Sequence, residues 1–101
     1  MEITELTNDT FDAFIAEHKN VLVDFWAEWC GPCKMMHPVF ESLPEKYPAT
    51  AFARVNVDLA PELCEKYGIM SIPAFVSFKD GSASERRIGA MPESELTEII
   101  Q

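Results

Sequence analysis

Residues 21–33 read Val21-Leu22-Val23-Asp24-Phe25-Trp26-Ala27-Glu28-Trp29-Cys30-Gly31-Pro32-Cys33, and they give the strongest indication of the fold. Its first six residues are apolar except for Asp24, so both alternating faces of a strand would be apolar. Such a strand is covered by helices on both sides, as at the centre of an α/β sheet. After Cys33 the apolar residues follow a helical period. The stretch therefore predicts a buried strand from Val21 to Trp26 that leads directly into a helix, with two cysteines at the junction.

Upstream of this stretch, the sequence predicts one strand and one helix. The strand is expected at Ile3 to Leu6. The helix is indicated by apolar residues at helical spacing behind two capping candidates: Phe11, Phe14 and Ile15 behind Thr7 and Asn8.

Downstream, the helix after Cys33 is expected to continue until Tyr47-Pro48 stops it. Pro38 lies inside this helix, and a kink is expected there because the proline ring clashes with the carbonyl four residues earlier. The remaining predicted elements are a strand at Ala51 to Val57, a short helix from Pro61 to Gly68, strands at Ala74 to Phe78 and Ser84 to Ile88 around the hairpin turn Lys79-Asp80-Gly81-Ser82, and a final amphipathic helix with Leu96, Ile99 and Ile100. The order β-α-β-α-β-α-β-β-α predicts an α/β protein.

Composition limits the classes of partner. The chain has 101 residues, the usual size of one domain, and no linker-like stretch, so a single domain over residues 1–101 is expected. Its net charge of −9 argues against nucleic-acid or anionic-membrane binding, which needs clustered basic residues. The first residues lack the features of a signal peptide, and no apolar run is long enough for a membrane helix, so we expect a cytoplasmic protein.

The chemistry is expected at Cys30 and Cys33. A sulfur at a helix N-terminus meets free backbone N–H groups and the positive end of the helix dipole, which favour the thiolate over the thiol. The spacing places the second sulfur one turn along on the same side, within reach of a disulfide. Cys30 can face solvent at the helix start, so we assign it as the attacking thiolate and Cys33 as the resolving one.

Three further residues have two readings each. Asp24 is either a buried proton acceptor for Cys33 or the partner of Arg54 in a structural ion pair. His37 lies one turn after Cys33 and is expected on the inward face of the helix, either as a hydrogen-bonded core residue or as a group that tunes Cys33. Cys64 is expected to be a small buried hydrophobe, with a regulatory or dimer-forming thiol as the alternative.

The segment from Asp24 to Met35 resembles the active-site segment of the thioredoxin family. The likeness covers essentially the whole chain, because four further segments fall in the order and spacing of the family: Tyr67-Gly68-Ile69, Ile72-Pro73, Asp80-Gly81 and Gly89-Ala90. The resemblance implies a thioredoxin fold, with a central mixed five-stranded sheet flanked by four helices. It also implies a general protein disulfide reductase, and we expect no bound cofactor. The absence of a targeting segment favours a cytoplasmic monomer.

The resemblance also assigns roles to individual residues. It implies that a separate thioredoxin reductase recharges the protein, that Ile72-Pro73 is a cis peptide, and that an apolar platform for target proteins is lined by Trp29, Ile72, Pro73, Gly89 and Ala90. Gly31-Pro32 resembles the dipeptide of reducing rather than oxidising relatives. The family commonly has lysine where this chain has Arg54, and arginine stays charged and binds carboxylates bidentately, so proton coupling to Asp24 can differ here.

Other functions remain open from the sequence. A metal module would use Cys30, Cys33, His37 and Cys64 as a zinc set, although a lone CxxC lacks the usual second pair and we expect no metal. A non-enzymatic subunit would keep the fold and leave the cysteines without a role. An oxidase or isomerase would share the fold and the exchange chemistry.

Overall fold

The computed structural model describes residues 3–100, which form a five-stranded sheet between two layers of helices. In chain order the elements are β1 (Ile3–Leu6), α1 (Phe11–Glu17), β2 (Asn20–Trp26), α2 (Gly31–Glu41), α3 (Leu43–Lys46), β3 (Ala51–Asn56), α4 (Pro61–Tyr67), β4 (Ala74–Lys79), β5 (Ser82–Ile88) and α5 (Glu93–Leu96). Short 3-10 turns follow β3 at Val57–Leu59 and α5 at Thr97–Ile100. The predicted order of elements is confirmed, except that two helices rather than one lie between β2 and β3.

The sheet is mixed, in the order β1-β3-β2-β4-β5. β3 runs parallel to both of its neighbours, whereas β4 is antiparallel to β2 and to β5. β2 is the central strand, and its five inner residues are buried, as its apolar composition predicts. The fold class expected from the resemblance is therefore confirmed.

Two apolar layers cover the two faces of the sheet. One face packs with α1 and α4, and its centre is built from Val21, Val23 and Phe25. The other face packs with α2 and the C-terminal segment through residues that include Leu22, Met36 and Phe40. Asp24 shares a face with Leu22 because side chains alternate along a strand. The one charged residue of β2 therefore lies on the face that α2 covers.

The predicted long helix is divided at Ser42. α2 passes through Pro38 and ends at Glu41, and α3 begins at Leu43 with Pro44 in its first turn. Pro44 has no N–H, so it cannot donate the helical hydrogen bond to Phe40. The Ser42 N–H donates instead to the Val39 carbonyl at 3.2 Å, which tightens the end of α2. The expectation of one helix up to Tyr47 is thus wrong, because the second proline interrupts the bonding pattern.

The predicted cap of α1 is also wrong. The helix begins at Phe11, and the residue before it is Thr10 rather than Thr7 or Asn8. Thr7 instead donates its N–H to Thr10 Oγ1 at 2.9 Å, which closes a turn ahead of the helix. Polar residues in this turn bond to one another, and such local bonds compete with a helical start.

Several boundaries shift by one or two residues. β3 ends at Asn56 because the Asn56 side chain accepts the Asp58 N–H at 3.0 Å and starts the 3-10 turn there. β4 and β5 extend to the predicted turn, in which Asp80 and Gly81 both have positive φ. Two positive φ angles match the right-handed twist of a tight hairpin. The expected final helix is one turn of α-helix followed by 3-10 geometry.

Candidate active site

Cys30 and Cys33 form a disulfide at the junction of β2 and α2, with their Cα atoms 5.2 Å apart. Cys30 is the N-cap residue of α2, and its Sγ accepts the N–H of Cys33 at 3.2 Å. Gly31 and Pro32 form the first turn of the helix, where a missing N–H costs nothing because no intrahelical partner exists. The predicted pair is confirmed at the predicted position.

Both sulfurs are enclosed in this oxidised form. Cys30 is 5% exposed and Cys33 is 1% exposed, so the expected asymmetry is present but small. They form a cluster with Ala27, against which Trp26, Val57 and Ile72 pack. Cys30 therefore does not face solvent as freely as its place at the helix start suggested, because the loop before β4 closes over it.

The loop before β4 lies directly against the disulfide. The Ile72 carbonyl oxygen is 3.8 Å from Cys30 Sγ, and the peptide between Ile72 and Pro73 is cis, as the resemblance implied. The Gly89 N–H donates to the Pro73 carbonyl at 2.8 Å, which joins the turn after β5 to this loop. The turn after β5 is thus joined to the loop that contacts Cys30, and Ala90 in this turn is exposed.

A shallow apolar groove of about 310 Å³ shares Val57 and Ile72 with the cluster around the disulfide. Its lining includes Trp29, Val57, Pro61, Cys64, Met70 and Ile72. Trp29 is 69% exposed, and its indole N–H donates to Asp58 Oδ2 at 2.9 Å, which fixes the ring beside the cysteines. The bond to Asp58 was not foreseen, because the 3-10 turn that places Asp58 gives no clear sequence signal.

Cys64 is half-buried rather than buried. Its thiol lies 4.0 Å from the Val57 carbonyl oxygen, and it forms part of the groove wall. Burial raises the pKa of this thiol, and the nearby Asp58 carboxylate raises it further. Both effects keep Cys64 protonated and unreactive relative to a thiolate.

Asp24 is 1% exposed, and burial raises its pKa to about 7. Arg54 counteracts this rise, because its Nε lies 3.5 Å from Asp24 Oδ2. Neither carboxyl oxygen accepts an aligned hydrogen bond from the residues described, 3–100. Both readings of Asp24 therefore find support: it has an ion-pair partner, and it can still change protonation near neutral pH.

Arg54 is divided between two carboxylates. Besides Asp24, it contacts Glu41 at the end of α2, with Nη2 3.3 Å from Oε2. Its guanidinium also lies over the ring of Phe40, 5.6 Å from the centroid, a cation–π contact. The helix end and the aromatic ring hold the guanidinium over Asp24, an arrangement that the sequence did not reveal.

His37 is half-buried and packs edge-on against Trp26, with ring centroids 5.2 Å apart. Its Nε2 is buried without a hydrogen-bond partner among residues 3–100. Burial lowers the pKa of this imidazole, and Arg54 lowers it further. The expected hydrogen-bonded core histidine is therefore wrong, whereas a tuning role stays a prediction.

The zinc set weighed above does not assemble. Within residues 3–100, no three side chains of His, Cys, Asp or Glu gather into a group that could hold a metal ion. Cys30 and Cys33 are instead bonded to each other. The redox centre is thus part of the polypeptide itself. In a separate respect, the helices within residues 3–100 include none that is long and apolar enough to cross a membrane.

A disulfide at a helix N-terminus, covered by a cis-proline loop, defines the class of thiol-disulfide oxidoreductases. The thioredoxin family model matches residues 2–101. Thioredoxin of Staphylococcus epidermidis is 43% identical over 101 residues, which cover 99% of this chain and 96% of that protein. Thioredoxin of Alicyclobacillus acidocaldarius is 44% identical over 95% of this chain and 96% of that protein. The chain belongs to the thioredoxin family.

A solved structure agrees with the sequence relatives. Thioredoxin of Plasmodium falciparum superposes with a TM-score of 0.91 and 38% identity over 97% of this chain and 96% of that one. This likeness extends over the whole described fold rather than over the active-site segment alone. The chain is a thiol-disulfide oxidoreductase, and its family and its active-site disulfide support protein disulfide reduction.

Proposed function

We propose that this protein reduces disulfides of target proteins, with Cys30 as the nucleophile and Cys33 as the resolving thiol. The Cys30 thiolate attacks a target disulfide, forms a mixed disulfide and expels one target thiolate. The Cys33 thiolate then attacks Cys30 Sγ, expels the second target thiolate and closes the internal disulfide. Two electrons pass to the target. The observation that carries this assignment is the hydrogen bond from the Cys33 N–H to Cys30 Sγ at 3.2 Å, which would stabilise negative charge on Cys30.

Asp24 is proposed to accept the proton of Cys33 as that thiol becomes a nucleophile. A base is most useful when its pKa lies near the working pH, and a pKa of about 7 meets that condition. Arg54 and His37 are proposed to tune this centre, the first by its contact with Asp24 and the second by its place one turn after Cys33. Gly31 and Pro32 shape the turn that holds the sulfurs together.

Target proteins are proposed to bind across Trp29, the Ile72-Pro73 loop and the Gly89-Ala90 turn. The exposed indole offers apolar area, and the backbone at Ile72 can pair with an extended segment of the target. Main-chain hydrogen bonds do not depend on the side chains of the target, so unrelated target proteins can be accepted.

The remaining parts of the proposal follow from the family. A separate thioredoxin reductase supplies electrons to the oxidised pair, and the protein takes part in electron transport and redox homeostasis in the cytoplasm. It is proposed to act as a single-domain monomer that binds no nucleic acid or membrane.

The direction of exchange is tested by titrating the pair against defined glutathione buffers and following oxidation by thiol alkylation. We expect the Cys30–Cys33 pair to be more reducing than glutathione. Cys30→Ser is the control, because it leaves a single active-site thiol that cannot close the internal disulfide. A pair clearly more oxidising than glutathione would instead indicate an oxidase or isomerase on the same fold.

A further inference from the structure

Three charged residues form a row across three adjacent strands. Glu5 of β1 lies opposite Arg54 of β3, and Arg54 lies opposite Asp24 of β2. Partners in such a ladder place their side chains on the same face of the sheet. The row therefore has the order acid, base, acid, and it leads from an edge strand to the buried carboxylate of the central strand.

The ends of the row differ in their surroundings. Asp24 is buried, whereas Glu5 is exposed at the sheet edge. Desolvation nevertheless raises the pKa of Glu5, and Arg54 and then the Trp26 side chain lower it in part. Glu5 thus lies close enough to the covered face for the Arg54 guanidinium to lower its pKa, as it lowers the pKa of Asp24.

The negative charge of Glu5 affects the pKa of Asp24. Burial is the largest cause of the raised pKa of Asp24, Arg54 opposes it, and the like charge of Glu5 adds to it. Two other titratable groups at this face come from α2: Glu41 contacts Arg54, and His37 packs on Trp26. On the other side of Asp24, Arg87 of β5 lies opposite Phe75 in the same row, and its guanidinium is paired with Glu85 and Glu98. Among the acidic groups at this face, Glu5 is the one whose negative charge raises the pKa of Asp24.

We propose that Glu5 is a positioning residue for the exchange reaction: from the edge strand β1, its negative charge offsets part of the attraction of Arg54 and keeps Asp24 able to bind a proton near neutral pH. The inference rests on the proton-acceptor role proposed for Asp24. Arginine is always charged, so its attraction for Asp24 cannot be relieved by titration of the base. The Glu5 carboxylate, opposite Arg54 in the same row, supplies that relief.

The expected size follows from Coulomb's law. Glu5 and Asp24 are separated by two strand spacings, about 10 Å between backbones. At an effective dielectric constant between that of a protein surface and that of water, removal of the Glu5 charge should lower the protonation midpoint of Asp24 by about 0.3 to 1 pH unit.

The test is Glu5→Gln in the full-length oxidised protein. The carboxyl ¹³C shift of Asp24 is followed by NMR from pH 4 to 9, and the same variant is then assayed for the pH dependence of protein disulfide reduction. Glu85→Gln is the matched control, because Glu85 lies on β5, the other edge strand, and is likewise two strands away from β2. Glu5→Asp keeps the charge and should restore most of the wild-type midpoint.

We expect Glu5→Gln to lower the Asp24 midpoint, Glu85→Gln to leave it in place, and the acid-side inflection of the pH–rate profile to move with it. An unchanged Asp24 midpoint in Glu5→Gln, or an equal shift in Glu85→Gln, would overturn the inference whatever the rates do. A shifted midpoint with an unmoved rate profile would confirm the electrostatic coupling and overturn the proton-acceptor role of Asp24 instead.

Discussion

Replacement of Asp24 by asparagine should stabilise the oxidised protein, and the gain should grow with pH. The pKa of Asp24 rises from 3.8 to about 7 on folding. Between these values the unfolded chain has lost the proton that the folded protein still holds, so the free energy of unfolding falls as pH rises through this window. A shift of this size corresponds to about 4 kcal/mol once the pH exceeds 7.

Asparagine has nearly the same shape as aspartic acid but never ionises, so Asp24→Asn lacks this pH-dependent loss. The difference in the free energy of unfolding between variant and wild type should be smallest near pH 4 and should rise by about 4 kcal/mol before levelling off above pH 7. Urea unfolding at several pH values between 4 and 9 measures it, and the titration of all other groups cancels in the difference. Asp12→Asn, at an exposed carboxylate on α1, is the control and should give a gap without this rise. A constant gap for Asp24→Asn across that range would refute the argument that Asp24 is desolvated and protonates near neutral pH.

Two further predictions concern residues outside the catalytic pair. Met36 is buried, and its Sδ accepts the Met91 backbone N–H at 3.4 Å, next to the Gly89-Ala90 turn. Met36→Leu keeps the volume but removes the acceptor, so it should raise KM for a protein disulfide about two- to threefold at unchanged kcat. The free energy of unfolding should fall by less than about 1.5 kcal/mol. Equal kinetics would show that this contact does not position the turn. The thiol pKa of Cys64 is raised, so Cys64 should react with iodoacetamide at pH 7 far more slowly than Cys30 of the reduced protein. Peptide mass spectrometry measures both rates, and comparable rates would contradict a raised pKa for Cys64.

The fold was accessible from the sequence because its main determinants are local. The apolar run of β2, the cysteine pair at its end and the Asp80-Gly81 turn each specify their own backbone, and they occur in an order that few topologies accommodate. The end of α4 is equally local, because Gly68 has a φ of 63° that other residues adopt only with strain. The division at Ser42 could not be predicted in the same way, because Pro38 and Pro44 lie in one continuous helical pattern that does not indicate which proline ends the helix.

The site was only partly accessible, because its electrostatics depend on strand register. Asp24 and its pairing with Arg54 could be suggested from a charge in an apolar strand. The place of Glu5 in the same row could not be predicted, because no sequence pattern indicates that β1 pairs with β3. The contacts of Glu41 and Met36 likewise depend on how α2 lies across the sheet.

The position of Asp24 connects stability with activity. A fully buried carboxylate that costs about 4 kcal/mol at neutral pH is a large fraction of the free energy that holds a small domain together. An asparagine, or an apolar side chain, would pack in the same place without that cost. Arg54 offsets part of this destabilisation because it lowers the pKa of Asp24. The negative charge of Glu5 has the opposite effect and raises that pKa. An arrangement selected for stability alone would strengthen the ion pair, whereas this one keeps the pKa of Asp24 near neutrality, where the proton acceptor proposed for Cys33 would be most effective.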